Sequence, residues 1–148
     1  MTPRRIGIRA RDGLMLSALD HPGPEGRTPV LCLSGLTRSA QDFAALAARH
    51  AGRRRVVALD HAGHGDSARP ADIARYDIAN SLADVLDTMA ALHCSRAVIV
   101  GTSFGGILAM VLAVMRPSAI AGVVLNDIGP TIEDVGLDFV QNFVARDP

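Results

Sequence analysis

The sequence predicts an α/β fold: a mainly parallel sheet of about six strands, helices on both faces, and an antiparallel hairpin at the N-terminus. Two observations carry this. Short, continuously apolar segments alternate with longer stretches in which apolar residues recur at helical spacing, the pattern of strands buried on both faces. In addition, glycine-rich junctions follow the apolar segments at 34–37, 60–67 and 101–106, and in such folds ligands gather at the carboxyl ends of the strands.

Taken in order, RRIGIR (4–9) and LMLSALD (14–20) flank Asp12-Gly13, a hairpin signal. HPGPEGRTP is a proline- and glycine-rich loop. VLCLSG (30–35) reads as a buried strand, and AQDFAALAARHAG (40–52) as a helix with Phe43, Leu46 and Ala47 on one face and a stop at Gly52. RVVALD (55–60) is a second buried strand, followed by the loop HAGHGDSARP. Between Asp77 and His93, the residues Ile78, Leu82, Val85, Leu86, Met89 and Leu92 mark an amphipathic helix. AVIVG (97–101) is a strand, FGGILAMVLAVMRP a helix ending before Pro117, and IAGVVLND (120–127) a strand. The segment after it reads as a loop and one amphipathic helix. No internal repeat or low-complexity tract is present.

Of the 148 residues, 49% are hydrophobic and 20% charged, and fifteen basic side chains balance fifteen acidic ones. That is the composition of a globular domain, with nothing to steer it toward nucleic acid or an anionic membrane. The basic clusters Arg4-Arg5 and Arg53-Arg54-Arg55 abut apolar segments and read as solvated strand flanks. Cys32 and Cys94 form no CxxC pair and read as buried free thiols of a reducing compartment. The N-terminus lacks the apolar core of a secretory signal, and the longest apolar run, Ile107 to Met115, is too short to span a bilayer. A cytoplasmic protein is expected.

The stretch AVIVGTSFGGILAMVLAV (97–114) places one hydroxyl, Ser103, between a strand and a helix. Strand, G-x-S-x-G turn and helix together are the context of a nucleophile elbow, in which neighbours two residues away must be very small. Gly101 and Gly105 meet that demand. Gly106 is expected to let the helix pack close to the sheet. The alternative is a tight structural turn with a surface serine. Two further stretches weigh in. In LSGLTRSAQDF (33–43) the N–H of Leu36 is placed to help bind an oxyanion, beside that of Phe104. In ALDHAGHGDSARP (58–70), His64 between two glycines is expected to brace its loop. A nucleotide-binding domain is disfavoured, because GTSFGG is neither GxGxxG nor GxxxxGK[ST].

Together, GTSFGG, LSGLTRSAQDF and DHAGHGDSARP, in this order and spacing, resemble the α/β-hydrolase superfamily. The resemblance runs from the hairpin to Asp127. Where the family commonly has His-Gly after the third strand, this chain has Ser34-Gly35, which leaves the role of the Leu36 N–H intact. The family's dehalogenase and epoxide-hydrolase branches use an aspartate nucleophile, and position 103 is serine. The resemblance therefore implies a serine hydrolase acting on a small-molecule ester, lactone, thioester or carbon–carbon bond next to a carbonyl, with no metal and no organic cofactor. Residues 1–128 would be the N-terminal part of the core, and 129–148 the start of a lid.

Such an enzyme needs a histidine base, oriented by a carboxylate, and the family order is serine, acid, histidine. The five histidines, His21, His50, His61, His64 and His93, all precede Ser103. Asp127 is a candidate acid, although the family's more usual position lies one strand later; its alternative role is to accept loop N–H bonds. The expectation is an incomplete α/β-hydrolase fold: an N-terminal fragment, inactive alone, of a parent that hydrolyses a small carboxylic ester or lactone. The competing reading is a non-catalytic or split-protein interaction module, whose open apolar edge at the last strand self-associates or is completed by a partner chain.

Overall fold

Along the central strands successive side chains point to opposite faces, and both sets are buried. In β3 (Val30–Leu33), Leu31 and Leu33 face one way and Val30 and Cys32 the other; in β4 (Val56–Asp60), Val57 and Leu59 oppose Val56 and Ala58. This is the physical basis of the unbroken apolar runs. The first set packs with Val85 and Met89 of α2 (Ile78–Ala91) and with Leu108 and Leu112 of α3 (Phe104–Met115). The second packs with Phe43 and with Ala47 of α1 (Ala44–His50).

The computed structural model describes residues 2–129 and 131. With β1 (Arg4–Arg9), β2 (Met15–His21), β5 (Ala97–Thr102) and β6 (Ile120–Asn126), the strands form one sheet in the order β1-β2-β4-β3-β5-β6. β1 and β2 pair antiparallel with Arg9 opposite Met15, and β2 pairs antiparallel with β4. The pairs β4–β3, β3–β5 and β5–β6 are parallel. The chain thus steps from β3 to β4 on one side, then crosses back to β5 on the other. Right-handed crossovers require the connecting helices to change face when the direction reverses. Accordingly α1 lies on one face, and α2 and α3 on the other. The reversal opens a crevice beyond the ends of β3 and β5, where α/β sheets bind ligands.

Several boundaries move. The expected helix over 40–52 is a 3₁₀ turn, Ala40–Phe43, followed by α1. β3 ends at Leu33, so Ser34-Gly35 already belongs to the loop, and β6 ends at Asn126, which leaves Asp127 outside the strand at φ 54°. The expected lid segment 129–148 lies outside the described residues, apart from Gly129 and Thr131. Among the described residues, no helix is long and apolar enough to cross a membrane. Cys32 and Cys94 are both buried free thiols.

The reading of the arginine clusters as solvated flanks is corrected at Arg5 and Arg55. Arg55 grips the buried Asp20 carboxylate at 2.8 and 3.1 Å and also donates to the Leu92 carbonyl. Arg5 reaches Asp60 at 2.8 Å. Charges this close to the sheet persist because each is paired and hydrogen-bonded.

Asp60, 1% exposed, also accepts from the backbone N–H of Ala40 at 2.7 Å and of Asp66 at 3.2 Å. One carboxylate therefore ties β1, the loop after β3 and the loop after β4 to a single point. Replacing Asp60 by Ala strands the Ala40 N–H and takes one partner from the Arg5 guanidinium, which keeps Asp66 at 2.8 Å and the Ser17 hydroxyl at 2.9 Å. The expected loss is about 2 kcal/mol of stability by urea unfolding, the scale for leaving a buried donor unsatisfied. A loss below about 1 kcal/mol, the worth of an ordinary hydrogen bond, would show that this hub is dispensable.

Candidate active site

Ser103 sits between β5 and α3 with φ 50° and ψ −113°, a backbone conformation side-chain-bearing residues rarely adopt. Three hydrogen bonds hold it there. Its N–H donates to the Asn126 carbonyl at 3.1 Å, and its carbonyl accepts from Gly106 at 2.8 Å and Ile107 at 3.1 Å. Asn126 in turn donates its side-chain amide to the Thr102 hydroxyl at 3.3 Å. The residue that makes β6's last pairing is thus fixed by the elbow it supports.

The two outer glycines of the turn have no space for a side chain. A Cβ on Gly101 would lie 2.6 Å from the Gly105 carbonyl carbon, and one on Gly105 would run into the Leu33 carbonyl of β3. Gly106 packs close to the sheet as expected: a Cβ there would stand 3.3 Å from the Gly101 carbonyl oxygen of β5 and would also run into Ile128.

Leu36 follows the end of β3 in a turn closed by the Arg38 N–H on the Gly35 carbonyl at 3.3 Å, with Thr37 at φ 55°. A Cβ built on Gly35 would stand 3.5 Å from the Ser103 Cβ, so this loop is in contact distance of the serine. Among the described residues, the N–H groups of Leu36 and Phe104 have no acceptor. A cleft of about 810 Å³ is lined by Leu36, Phe43, Leu46, Ser103, Val124 and Asp127, among others. A second, of about 490 Å³, lies against Leu36, Phe104, His61, Tyr76 and Ile78. The structure thus brings Ser103, Leu36 and Asp127 to one cleft and sets the Phe104 ring in the neighbouring one. Asp127 is exposed and accepts no hydrogen bond from another described residue.

Neither histidine of the loop after β4 is hydrogen-bonded to Ser103. His64 Nδ1 lies 2.9 Å from the Ala62 carbonyl within its own loop, the bracing contact expected of it. His61 is buried, with Nε2 at 3.1 Å from the Ser34 carbonyl and its ring edge-on to Phe104. From the sequence, the loop of His61 and His64 lies at the elbow's end of the sheet, yet the family resemblance gives it no catalytic role; the burial of His61 against Phe104 has no local signal. No group of three or more His, Cys, Asp or Glu among the described residues is placed to hold a metal ion.

A family model described as the alpha/beta hydrolase fold matches residues 28–147. The chain belongs to the α/β-hydrolase family. A 3-hydroxybutyrate-oligomer hydrolase from Cupriavidus necator is 35% identical over 122 residues, 82% of this chain and 42% of that protein. Epoxide hydrolase 4 of Mus musculus is 31% identical over 126 residues, 84% of this chain and 35% of that one. The crystal structure of an α/β hydrolase from Novosphingobium aromaticivorans superposes with a TM-score of 0.92 at 40% identity, over 97% of this chain and 50% of that one. The chain thus spans half or less of these α/β hydrolases' lengths.

Burial pushes the His61 pKa down from 6.5 to about 4. The unfolded chain takes up this proton as pH falls through about 6.5; the folded chain does so only near 4. Stability is therefore full above about 6.5 and is lost as pH falls toward 4, by about 3 kcal/mol from this residue. Urea unfolding at pH 7 and pH 4.5 is expected to show a steeper loss for the wild type than for His61→Gln. Equal losses would contradict a histidine held neutral by burial.

Proposed function

We propose that the protein carrying these residues is a serine hydrolase that cleaves a small carboxylic ester or lactone through an acyl-enzyme. The observation that carries the reading is Ser103 at φ 50° between β5 and α3, with the N–H groups of Leu36 and Phe104 unpartnered among the described residues. In this reading the Ser103 Oγ attacks the substrate carbonyl carbon and gives its proton to a base. The carbonyl oxygen becomes an oxyanion that accepts from the Leu36 and Phe104 N–H groups, donors that belong to the backbone and so need little reorganisation. Collapse of the tetrahedral species expels the alcohol, and water then cleaves the acyl-serine.

The base is a histidine outside these 148 residues, since all five histidines precede Ser103 in an order the family does not use, and the two in the nearby loop are engaged elsewhere. Asp127, on the serine's cleft, is the candidate acid within this chain. These 148 residues alone are accordingly expected to show no appreciable turnover. Serine at 103 favours an ester over an epoxide, and a relative named for hydrolysing 3-hydroxybutyrate oligomers points the same way.

β6 pairs only with β5 among the described residues, and Val124 on it is 50% exposed. That edge is where further strands, from the same protein or a partner, would join.

The test is turnover of p-nitrophenyl butyrate and of a styrene oxide control by the complete gene product. The wild type is expected to hydrolyse the ester and not the epoxide, and Ser103→Ala to lower kcat by on the order of 10⁵-fold or more. Unchanged ester turnover in Ser103→Ala removes the nucleophile assignment. Absence of ester turnover in the wild type leaves the interaction module as the better reading.

A further inference from the structure

The two N–H groups assigned above to the oxyanion hole come from different strand ends, Leu36 after β3 and Phe104 after β5. Nothing in the covalent chain fixes their separation. One side chain from a third strand end touches both segments. His61, directly after β4, is 5% exposed; its Nε2 lies 3.1 Å from the Ser34 carbonyl, and its ring meets that of Phe104 at 5.6 Å between centroids and 75° between planes.

A carbonyl oxygen only accepts, so Nε2 carries the hydrogen and donates it to Ser34. That bond orients the Ser34–Gly35 peptide, one unit before the peptide that supplies the Leu36 N–H. The edge-on contact with Phe104 restrains the residue that supplies the other N–H, in the T-shaped geometry aromatic rings prefer. Nδ1 is buried and has no partner among the described residues. His61 is therefore neither solvated nor bonded to Ser103.

We infer that His61 is a positioning residue for the oxyanion hole: it holds the Leu36 and Phe104 segments at a fixed separation. The inference rests on the serine-hydrolase reading. Both duties call for a flat ring with an N–H on its rim. Phenylalanine would pack against Phe104 but leave the Ser34 carbonyl without its donor. Glutamine would keep a donor near the Nε2 position without the ring. Asparagine, one methylene shorter, does not reach that position.

The experiment uses the complete gene product with p-nitrophenyl butyrate. Each preparation is titrated with a fluorophosphonate, so that kcat is counted per folded site, and Tm is recorded. Deleting a single oxyanion donor typically costs 10²–10³ in kcat, and a displaced donor should cost part of that. His61→Phe is thus expected to lower kcat roughly 10- to 100-fold with KM within about twofold of the wild type. His61→Gln is expected to recover part of that loss, because the bond to Ser34 returns while the ring contact with Phe104 does not, and His61→Asn to stay low. A merely structural role would lower Tm and yield while leaving kcat per titrated site unchanged. Wild-type kcat in folded His61→Phe overturns the inference. Should that variant fail to fold, equal kcat in His61→Gln and His61→Asn overturns it instead. Turnover that survives Ser103→Ala removes the serine-hydrolase reading, and the role of His61 falls with it; loss of turnover in Ser103→Ala alongside full kcat in His61→Phe overturns the positioning role alone.

Discussion

The space between β3, β5 and α3 has no room for a Cβ at Gly101 or Gly105, and the rest of the site follows from that restriction. With glycine at both positions the chain reverses from strand to helix in a few residues, and Ser103 at the apex is forced to φ 50°. Such a conformation costs on the order of 1–3 kcal/mol and persists only where its surroundings over-determine it. Here the bonds to Asn126, Gly106 and Ile107 use both backbone polar groups of the serine. The strain is held by the sheet on one side and by the first turn of α3 on the other.

The sheet's crossover places neighbours around that apex. Because the chain steps from β3 to β4 and then back across to β5, the loops after all three strands open on the same edge. The loop after β3 brings Gly35 within contact distance of Ser103, and the loop after β4 sets His61 against Ser34 and Phe104. Asp60 then fastens the loops after β3 and β4 to one another through the N–H groups of Ala40 and Asp66, with Arg5 closing the charge balance. Rigid backbone donors are useful in catalysis only if they do not move when charge develops. In the proposed serine hydrolase, the buried carboxylate and imidazole would supply that rigidity, from side chains that are not hydrogen-bonded to Ser103 among the described residues.

The elements were readable in the sequence where the cause was local. Strands buried on both faces leave unbroken apolar runs, and a turn that excludes Cβ atoms leaves glycines at fixed spacing around Ser103. Strand order was not readable, because it depends on pairings between segments far apart in the chain. The same holds for charge pairing: Arg55 finds Asp20, 35 residues away, only once β2 lies against β4, so its cluster reads as a solvated flank. His61 sits among polar and glycine residues, and its burial is decided by Phe104 and Ser34 from other strands. Asp127 reads as the end of a strand because the apolar run reaches it, yet pairing stops at Asn126. Which histidine would act on Ser103 has no signal in these residues at all.

As the proposed nucleophile, Ser103 is the residue that becomes acylated. That role is tested most directly by treating the complete gene product with a fluorophosphonate and mapping the adduct by tandem mass spectrometry. The account predicts a single adduct, on Ser103, formed in step with loss of ester turnover. An adduct on another residue, or ester turnover that continues with Ser103 fully modified, would contradict it.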